Sequence, residues 1–485
     1  MGAAIRGAGI QCFGFPWAPH SGGLTLVDSL VEITTGTPAV TSNRPVFISN
    51  SYFLGAPVIV ELDGAADLNS AGPGWSEVAE YAGSPSVAVF PVWTEGERQA
   101  ASVGTATPAA APPAGLVDRH LGWVDPFPSW ISAAAANVRR PPYLAAGDGL
   151  ADDTDALQSA IDQSPVVFLP KGFYRIRRPL KLKAGTQLIG VGSIYSKILP
   201  DLHDPSSSFL DPGNPNPLVE TVDDAAATTR IAFLELQANA GGVYALHWSA
   251  GRCSLVRTVR MQNFPWQGPE AAAGVPRMVI DRNGGGRFYN VSNGSQAGVS
   301  SLLRVEGTRE PLAFYMLDPE HGLYDYWVDF QNVRNVTIFG FKLETDINGI
   351  PPVPFPPIRF EDSQQFRVLG YGGLGALPTG AFFTLNNCSD FRLANLHPEP
   401  KQSFSPTDYD VIADSPAGGP TVNTPATEYL VLYKRGDPRP ELPPPPADCA
   451  TETGAIPAVS QWGMIVMTLL LLSLGTIVMR RLRTA

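Results

Sequence analysis

The chain has 485 residues, of which 44% are hydrophobic, so it has room for two or three domains with a large core. Its 48 glycines and 47 prolines favour a turn-rich β architecture over a helical one. The net charge is −11, and lysine and arginine are scattered except at the C-terminal end. This distribution argues against a nucleic-acid partner, which requires a concentrated basic surface.

The N-terminal part of the chain contains short apolar runs that are typical of strands, at residues 24–33, 45–54 and 58–62. These runs predict that residues 1–63 are the last coils of a first β-helix. Residues 1–25 contain no apolar segment of the signal-peptide type, so we expect the true beginning of the protein to lie upstream. Residues 64–145 are rich in alanine, glycine and proline, which predicts a connector along the surface.

A helix followed by two strands is predicted for residues 147–176. Asp152 or Asp153 can accept hydrogen bonds from the first N–H groups of a helix that begins near Thr154. One face of this helix is apolar, formed by Ala156, Leu157, Ala160 and Ile161. The sequence VVFLPKGFYRI then predicts a strand, a turn and a second strand. The helix therefore has an apolar surface to cover at the start of a β structure.

Related blocks of alternating apolar residues recur after residue 230. The steps are 24 residues from Ile231 to Leu255, 30 from Val336 to Phe366 and 25 from Phe366 to Phe391. Steps of this size suit the coils of a solenoid, in which each coil packs only on its neighbours. Four asparagines near the turns predict stacked amide ladders, namely Asn332, Asn335, Asn386 and Asn387.

The helix, strand and turn of residues 147–176 resemble the opening of the pectate-lyase superfamily. This resemblance implies an all-β fold, a right-handed parallel β-helix over residues 146–435 with a short N-terminal capping helix. Residues 303–321 and 328–344 are similar to the second domain of the two-β-helix exo-β-1,3-glucanases of glycoside hydrolase family 55. In that family the polysaccharide substrate enters a groove between two solenoids.

The resemblance implies that Glu344 is the general acid of an inverting hydrolase and that Glu320 is a second acidic residue of the same pocket. Their separation of 24 residues is about one coil, which would make them neighbours on one face. Two alternatives stay open. Glu344 could be a solvated glutamate on an outer face, and Glu320 could pair with Arg309 or Arg334.

Aromatic side chains are candidates for stacking on sugar rings, and we predict this role for Trp248, Trp266 and Tyr315. We expect a glucan substrate and no metal or other cofactor. A lyase acting on uronic polymers is only the third candidate function, because the chain lacks the grouped acidic residues of calcium-dependent lyases. The second is a surface protein that binds polysaccharide, or builds an envelope layer, without catalysis.

The four cysteines lie far apart and show no spacing typical of a metal site. We interpret them as isolated thiols, with a disulfide left open but not assignable.

The C-terminal part predicts a membrane segment. Residues 428–434 predict a final strand, and the proline-rich residues 436–455 predict an extended spacer. Residues 456–485 then contain Ile456, Pro457, Ser460, Trp462 and Gly463, an apolar span at 462–479 and a basic end. This arrangement resembles the IPTL-type sorting signals of bacterial surface proteins. The resemblance implies recognition by a membrane sorting peptidase and export to the cell surface or outer envelope, with inner-membrane anchoring before the tail is processed.

Overall fold

The computed structural model shows an all-β solenoid of about 13 turns with very little helix. It describes residues 4–12, 22–121, 135–238, 242–262, 275–294, 302–320, 326–343, 357–375, 380–400, 409–425, 429–438 and 449. Parallel strands of successive turns stack edge to edge, so the short apolar runs of the sequence line a continuous interior. The strands form two units, each with its own hydrophobic core.

The first unit lies within residues 4–109. Its strands are β1 (Ala4–Gly7), β2 (Ile10–Cys12), β3 (Leu24–Val27), β4 (Leu30–Ile33), β5 (Val40–Ser42), β6 (Val46–Leu54), β7 (Val58–Leu62), β8 (Leu68–Asn69), β9 (Trp75–Gly83), β12 (Val103–Gly104) and β13 (Thr107–Ala109). One sheet has the order β1-β4-β6-β9-β12, with β3 beside β6 and β13 beside β9. The other has the order β2-β5-β7-β8. Two further strands, β10 (Val92–Thr94) and β11 (Glu97–Arg98), join the second unit.

The first unit continues past residue 63, where the sequence predicted a connector. Strand β9 pairs antiparallel with β6, and its side chains Val78 and Tyr81 are buried in the core of the first unit. The apolar residues of β9 do not alternate regularly with polar ones, and alanine, glycine and proline surround them, so no strand pattern is visible in the sequence. Antiparallel β9 follows the last parallel coil of the unit, and a 3₁₀ turn (Asp118–His120) comes later in the same region.

The second unit begins near residue 135 and contains one α-helix among the described residues, α1 (Thr154–Gln163). Its strands are β14 (Ala135–Asn137), β15 (Asp148–Asp152), β16 (Val166–Leu169), β17 (Gly172–Ile176), β18 (Leu180–Leu182), β19 (Gln187–Gly190), β20 (Ser196–Pro200), β21 (Asn216–Thr221), β22 (Arg230–Leu236), β23 (Val243–Trp248), β24 (Leu255–Gln262), β25 (Met278–Asp281), β26 (Gly286–Gly294), β27 (Leu303–Glu306), β28 (Leu312–Glu320), β29 (Val328–Gln331), β30 (Arg334–Lys342), β31 (Ile358–Glu361), β32 (Gln364–Gly375), β33 (Gly380–Asn386), β34 (Ser389–Pro400), β35 (Tyr409–Ser415), β36 (Val422–Pro425) and β37 (Leu430–Arg435).

Two long sheets run along the second unit. The larger has the order β11-β10-β37-β34-β32-β30-β28-β26-β24-β22-β19-β16-β14, and the smaller has the order β18-β21-β23-β25-β27-β29-β31-β33-β35-β36. Val336 pairs with Phe366, and Phe366 with Phe391, as the sequence predicted. Ile231 pairs with Val256 rather than with Leu255, so that step is 25 residues and not 24.

Aromatic stacking fills the interior of the last coils. Phe360 stacks on Phe330 at 4.5 Å between ring centroids and on Phe366 at 4.1 Å. Phe391 continues the stack from Phe366, and Tyr433 of β37 follows it. Because parallel coils bring equivalent residues within contact distance, a phenylalanine repeated once per coil produces such a column.

Helix α1 begins at Thr154, as predicted. The Thr154 N–H donates to Asp152 at 3.0 Å, whereas the carboxylate of Asp153 accepts from the N–H groups of Ala146 and Gly147 at 2.6 and 2.9 Å. Burial raises the pKa of Asp153. Three residues of the predicted apolar face are fully buried in the core of the second unit, namely Leu157, Ala160 and Ile161.

Asn332, Asn335 and Asn387 bond to other partners than the stacked amides that the sequence predicts. Asn387 donates to Asp362 at 2.5 Å from the equivalent turn of the next coil. Asn332 occupies the same turn one coil earlier, but its side-chain oxygen accepts from Arg309 at 3.2 Å. Asn335 donates to the carbonyl oxygen of Arg309 at 3.0 Å. The turn asparagines therefore bond to several kinds of partner.

A disulfide joins Cys253 to Cys449 across 196 residues. The interpretation of all four cysteines as isolated thiols is therefore wrong for these two, because spacing in sequence does not show which coils approach each other. Cys12 and Cys388 are free thiols, and burial raises the pKa of Cys388 to about 12.

Within the described residues no helix is both long enough and apolar enough to cross a membrane. The predicted span at 462–479 and the sorting residues Ile456, Pro457, Ser460, Trp462 and Gly463 lie outside those residues.

The two units pack directly against each other. Val27, Phe47 and Ala82 of the first unit share a hydrophobic cluster with residues of β28, β30, β32, β34 and β37. Glu80 of the first unit also pairs with Lys434 at 2.6 Å and with Arg392 at 2.5 Å. This interface borders the groove in which the candidate site lies.

Candidate functional site

The long strands of the second unit change direction at one left-handed residue in each coil. Seven successive coils share this feature, at Phe233, Thr258, Asn290, Met316, Gly340, Gly370 and Asn395. The last four border the first unit and have φ values of +58°, +73°, +88° and +48°. The strand register aligns the four in one column. Glycine and asparagine tolerate this conformation better than other residues, which accounts for three of the four. The residue before each bend faces the first unit.

A groove lies where this column meets the first unit. It has a volume of about 390 Å³, and one wall is formed by Gly22, Gly23 and Thr25 at the start of β3. The opposite wall contains the left-handed column and the residues that follow it in β30, β32 and β34. The groove thus exists only because the two units are docked side by side.

Polar side chains on β28, β30 and β34 lie at matching positions next to the groove, and Gly372 takes that position on β32. Lys342 pairs in register with Gly372, and Gly372 with His397. Lys342 Nζ lies 3.8 Å from Asp318 Oδ1. His397 is buried and stacks on Tyr429 at 5.6 Å between ring centroids. Because Lys342 and Asp318 compensate each other, this part of the wall carries little net charge.

Asn395 connects the left-handed column to the opposite wall. Its Nδ2 donates to the carbonyl oxygen of Leu24 at 2.8 Å and to Thr25 Oγ1 at 2.7 Å. Asn395 is 2% exposed, so these bonds are shielded from water. They fix the first unit at the edge of the groove.

We expect Asn395→Ala to destabilise the docked state by about 3 kcal/mol, through two lost hydrogen bonds and the left-handed backbone. Asn395→Gly keeps the backbone preference and should cost only about 2 kcal/mol. Urea denaturation of both variants measures the difference. Equal losses would show that the backbone conformation contributes nothing.

A buried hydrogen-bond network joins both units and the 3₁₀ turn between them. His120 Nε2 lies 2.8 Å from Asp28 Oδ2, and His120 Nδ1 lies 3.1 Å from the Tyr315 hydroxyl. Arg119 Nη1 is 3.5 Å from Asp28 Oδ1. The Tyr289 hydroxyl donates to the carbonyl oxygen of His120 at 2.7 Å. The turn is therefore held between the two units by side chains from both.

Of the two predicted catalytic residues, the structure describes only the backbone of Glu320. Glu344 lies outside the described residues. Glu320 is the last residue of β28, and its side chain also lies outside the described part. Strands β28 and β30 pair with an offset of 24 residues, as between Leu317 and Phe341, which is the separation of the two glutamates. The alternative ion pair of Glu320 with Arg309 or Arg334 stays a prediction, because the Glu320 side chain is not among those described.

The aromatic residues predicted to stack on sugar rings are not exposed where the structure describes them. Trp248 is fully buried, contacts Phe288, and donates from Nε1 to the carbonyl oxygen of Gly285 at 2.9 Å. Its ring is therefore part of the core and offers no face to a sugar. Trp266 lies outside the described residues.

Tyr315 is also enclosed. Its ring stacks between Tyr289 at 4.6 Å and Phe339 at 4.9 Å, and 4% of the residue is exposed. Burial raises the pKa of Tyr315 to about 12. Both faces of the ring that the sequence assigned to a sugar are occupied by neighbouring aromatic residues, so the role of Tyr315 is packing between the units.

The sequence interpretation missed Thr25, Lys342, Asn395 and His397 as groove residues. A signal was present, because the three aligned blocks end in Gly340-Phe341, Gly370-Tyr371 and Asn395-Leu396. A glycine or asparagine at one fixed position of a repeat indicates a left-handed bend. The contribution of Thr25 had no such signal, because it depends on how the two units dock.

The outer face of the smaller sheet carries a second polar surface. Asp281 accepts hydrogen bonds from Ser249 at 2.6 Å and from His247 at 3.0 Å. Desolvation raises the pKa of Asp281, but these two bonds outweigh it and hold the pKa below its usual value. Arg359 forms two bonds to Asp329, at 2.9 and 2.8 Å. These carboxylates already have partners, so we place the candidate site at the groove. The described residues contain no group of three His, Cys, Asp or Glu arranged to hold a metal ion.

Comparisons with known proteins agree with the solenoid. Residues 136–201 match the family described as rhamnogalacturonase A/epimerase, pectate lyase-like. The match covers strands β14 to β20 and helix α1, the first part of the second unit. The chain is 33% identical over 96 residues to the glucan 1,3-beta-glucosidase of Cochliobolus carbonum, which is 19% of this chain and 10% of that protein.

Three solved structures are similar to this chain at low identity. Tailspike protein 2 of bacteriophage CBA120 matches at 13% identity and a TM-score of 0.39, over 54% of this chain and 38% of that one. An iota-carrageenase in complex with iota-carrageenan fragments matches at 12% and 0.37, over 52% and 56%. The protein sacteLam55A of Streptomyces sp. SirexAA-E matches at 12% and 0.39, over 82% and 72%.

Proposed function

We propose that this chain binds a neutral polysaccharide in the groove between its two units and hydrolyses it, with a β-1,3-glucan as the leading substrate. The observation that carries the proposal is the position of the groove against β28 and β30. Strand β28 ends at Glu320, and Glu344 follows β30 by two residues in the sequence. The local similarity to a glucan 1,3-beta-glucosidase supports the class of polymer.

In this proposal Glu344 protonates the leaving oxygen of the glycosidic bond. A nearby carboxylate such as Glu320 disfavours a second negative charge, which helps a general acid to keep its proton. An inverting reaction needs a water molecule on the opposite side of the sugar, and a groove with two separate walls leaves room for one. The paired charges of Lys342 and Asp318 suit the hydroxyl groups of an uncharged polymer.

The test is incubation of the full chain with a β-1,3-glucan, a β-1,4-glucan and a uronic polymer, followed by measurement of binding and of released sugar. We expect release from the β-1,3-glucan. Binding without release would favour the non-catalytic surface protein. Cleavage of the uronic polymer that stops on chelation would favour the lyase.

We also propose that the protein is exported, held in the membrane through residues 462–479 and handled by a membrane sorting peptidase. The Cys253–Cys449 disulfide supports export, because such bonds persist in oxidising compartments. Protease treatment of intact cells tests this: the solenoid should be digested from outside. Full protection in intact cells, with digestion only after lysis, would contradict export to the surface.

A further inference from the structure

The network around His120 is buried from all sides. Asp28, His120 and Tyr315 are 3%, 6% and 4% exposed. A carboxylate only accepts hydrogen bonds, so His120 Nε2 carries a hydrogen and donates it to Asp28. In a neutral ring Nδ1 then accepts from the Tyr315 hydroxyl. Neutral His120 therefore satisfies both neighbours.

Other charged and polar groups surround the pair formed by His120 and Asp28. Asn50 donates to Asp28 from the adjacent coil of the first unit. Arg119 lies 3.5 Å from Asp28, and Arg287 of β26 donates to the carbonyl oxygen of Arg119 at 3.1 Å. Phe339 of β30 closes the remaining side, edge-on, at 5.0 Å between ring centroids. A proton on His120 would add a third buried positive charge to the two arginines around one carboxylate.

Protonation would also remove an acceptor. Nδ1 would become a donor, so the Tyr315 hydroxyl would have to turn its hydrogen away within an almost dry interface. Burial lowers the pKa of His120. The hydrogen bond to Asp28 raises this pKa in part, and the positive charge of Arg119 lowers it further. The ring is consequently neutral at pH 7.

We propose that His120 is a positioning residue that makes the closure of the groove depend on pH. Neutral His120 holds the first unit against β28 and so keeps the two walls of the groove together, whereas protonated His120 loosens that contact and weakens glycan binding. The part that concerns glycan binding rests on the proposed function. The part that concerns the contact between the units does not.

The direction of the effect follows from linkage. A histidine whose folded pKa lies below its unfolded value of about 6.5 contributes its full stabilisation above that value. This contribution is lost as the pH falls from about 6.5 towards the folded pKa. Each pH unit between the two pKa values weakens the equilibrium constant for the docked state by about tenfold. Acid therefore favours the loosened state.

Hydrogen–deuterium exchange of the full chain tests the contact without any glycan. After correction for intrinsic rates, the amides of Leu24–Val27 and of Leu312–Leu317 should exchange several-fold faster near pH 5 than near pH 7.5. His120→Gln offers an N–H to Asp28 and an oxygen to Tyr315 but cannot be protonated, so its exchange should not respond to pH. The control His203→Gln alters an exposed histidine and should keep the response of the parent chain.

Tyr315→Phe provides a second variant in case His120→Gln does not fold. It keeps the stacked ring but removes the hydroxyl that opposes a proton on Nδ1, so the folded pKa of His120 should rise towards its unfolded value and the acceleration of exchange in acid should become smaller. Exchange of the parent chain that does not depend on pH, a response that survives in His120→Gln, or an undiminished response in Tyr315→Phe would each overturn the inference.

Binding of a β-1,3-glucan at both pH values separates this inference from the proposed function. Binding that weakens in acid for the parent chain but not for His120→Gln supports both. An exchange response without glucan binding at either pH would leave the contact as inferred and reject the proposed function. Glucan binding together with an exchange pattern that is flat in pH would reject the inference and leave the proposed function standing.

Discussion

Replacing Glu344 with glutamine is expected to lower the release of glucose from a β-1,3-glucan by about 10²- to 10⁴-fold, the usual contribution of a general acid. Glutamine has nearly the same shape but cannot donate a proton to the leaving oxygen. Binding of the polymer should change little, because the amide can still form hydrogen bonds. The loss should therefore be in kcat, and a coupled glucose assay under saturating polymer measures it.

The matched control is Glu306→Gln, which neutralises an exposed glutamate at the end of β27 on the smaller sheet. It should leave glucose release unchanged. Unchanged release by Glu344→Gln would reject the assignment of Glu344. A loss in both variants would point to the overall negative charge of the chain rather than to a proton donor.

If the parent enzyme is active, proton NMR of the first product should show an inverted anomeric configuration.

Replacing Cys253 with serine is expected to lower the free energy of unfolding by about 5 kcal/mol. In the chain-entropy account a disulfide stabilises by restricting the unfolded chain, and the effect increases slowly with the length of the closed loop. The loop here spans 196 residues and includes most coils of the second unit. Urea denaturation of the oxidised protein and of the variant measures the difference.

Cys12→Ser is the control, because Cys12 is a free thiol in the first unit. It should shift the denaturation midpoint very little. Treatment of the parent protein with a reductant should reproduce the loss seen in Cys253→Ser and should add nothing to that variant. A midpoint that is the same in the reduced and oxidised parent would show that Cys253 and Cys449 do not constrain the fold.

The coil register could be predicted well from the sequence where the repeats are regular. The pairs Val336–Phe366 and Phe366–Phe391 follow from alternation alone, since each coil places an equivalent phenylalanine or valine in the interior. The Ile231 step was one residue short, because Val256 and Leu255 are adjacent apolar residues and the sequence does not decide which faces inward.

The first unit was underestimated for a different reason. Strand β9 runs antiparallel to β6 and ends the parallel series, so it does not repeat the spacing of earlier coils. Its apolar residues do not alternate regularly with polar ones, and an alanine- and glycine-rich neighbourhood is equally typical of a connector. Only the docking of Val78 and Tyr81 in the core distinguishes the two.

The aromatic residues show the limit of inference from residue type. Tyr315 and Trp248 have the same chemistry in a core as in a sugar-binding site, and burial decides between the two roles. The stack of Tyr289, Tyr315 and Phe339 arises from register, and the contact with His120 joins residues 195 positions apart. Contacts that depend on how two units dock leave no periodic pattern in a single sequence.

The place where Cys449 returns to the body has a geometric consequence. Cys253 immediately precedes β24, which lies five coils before β34, or roughly 24 Å along the axis. The disulfide therefore holds Cys449 at the flank of the tube and not at its final coil. The proposed membrane span begins at Trp462, 13 residues after Cys449, which an extended chain can bridge over at most about 45 Å. Under that proposal, this flank could lie no farther than that from the lipid.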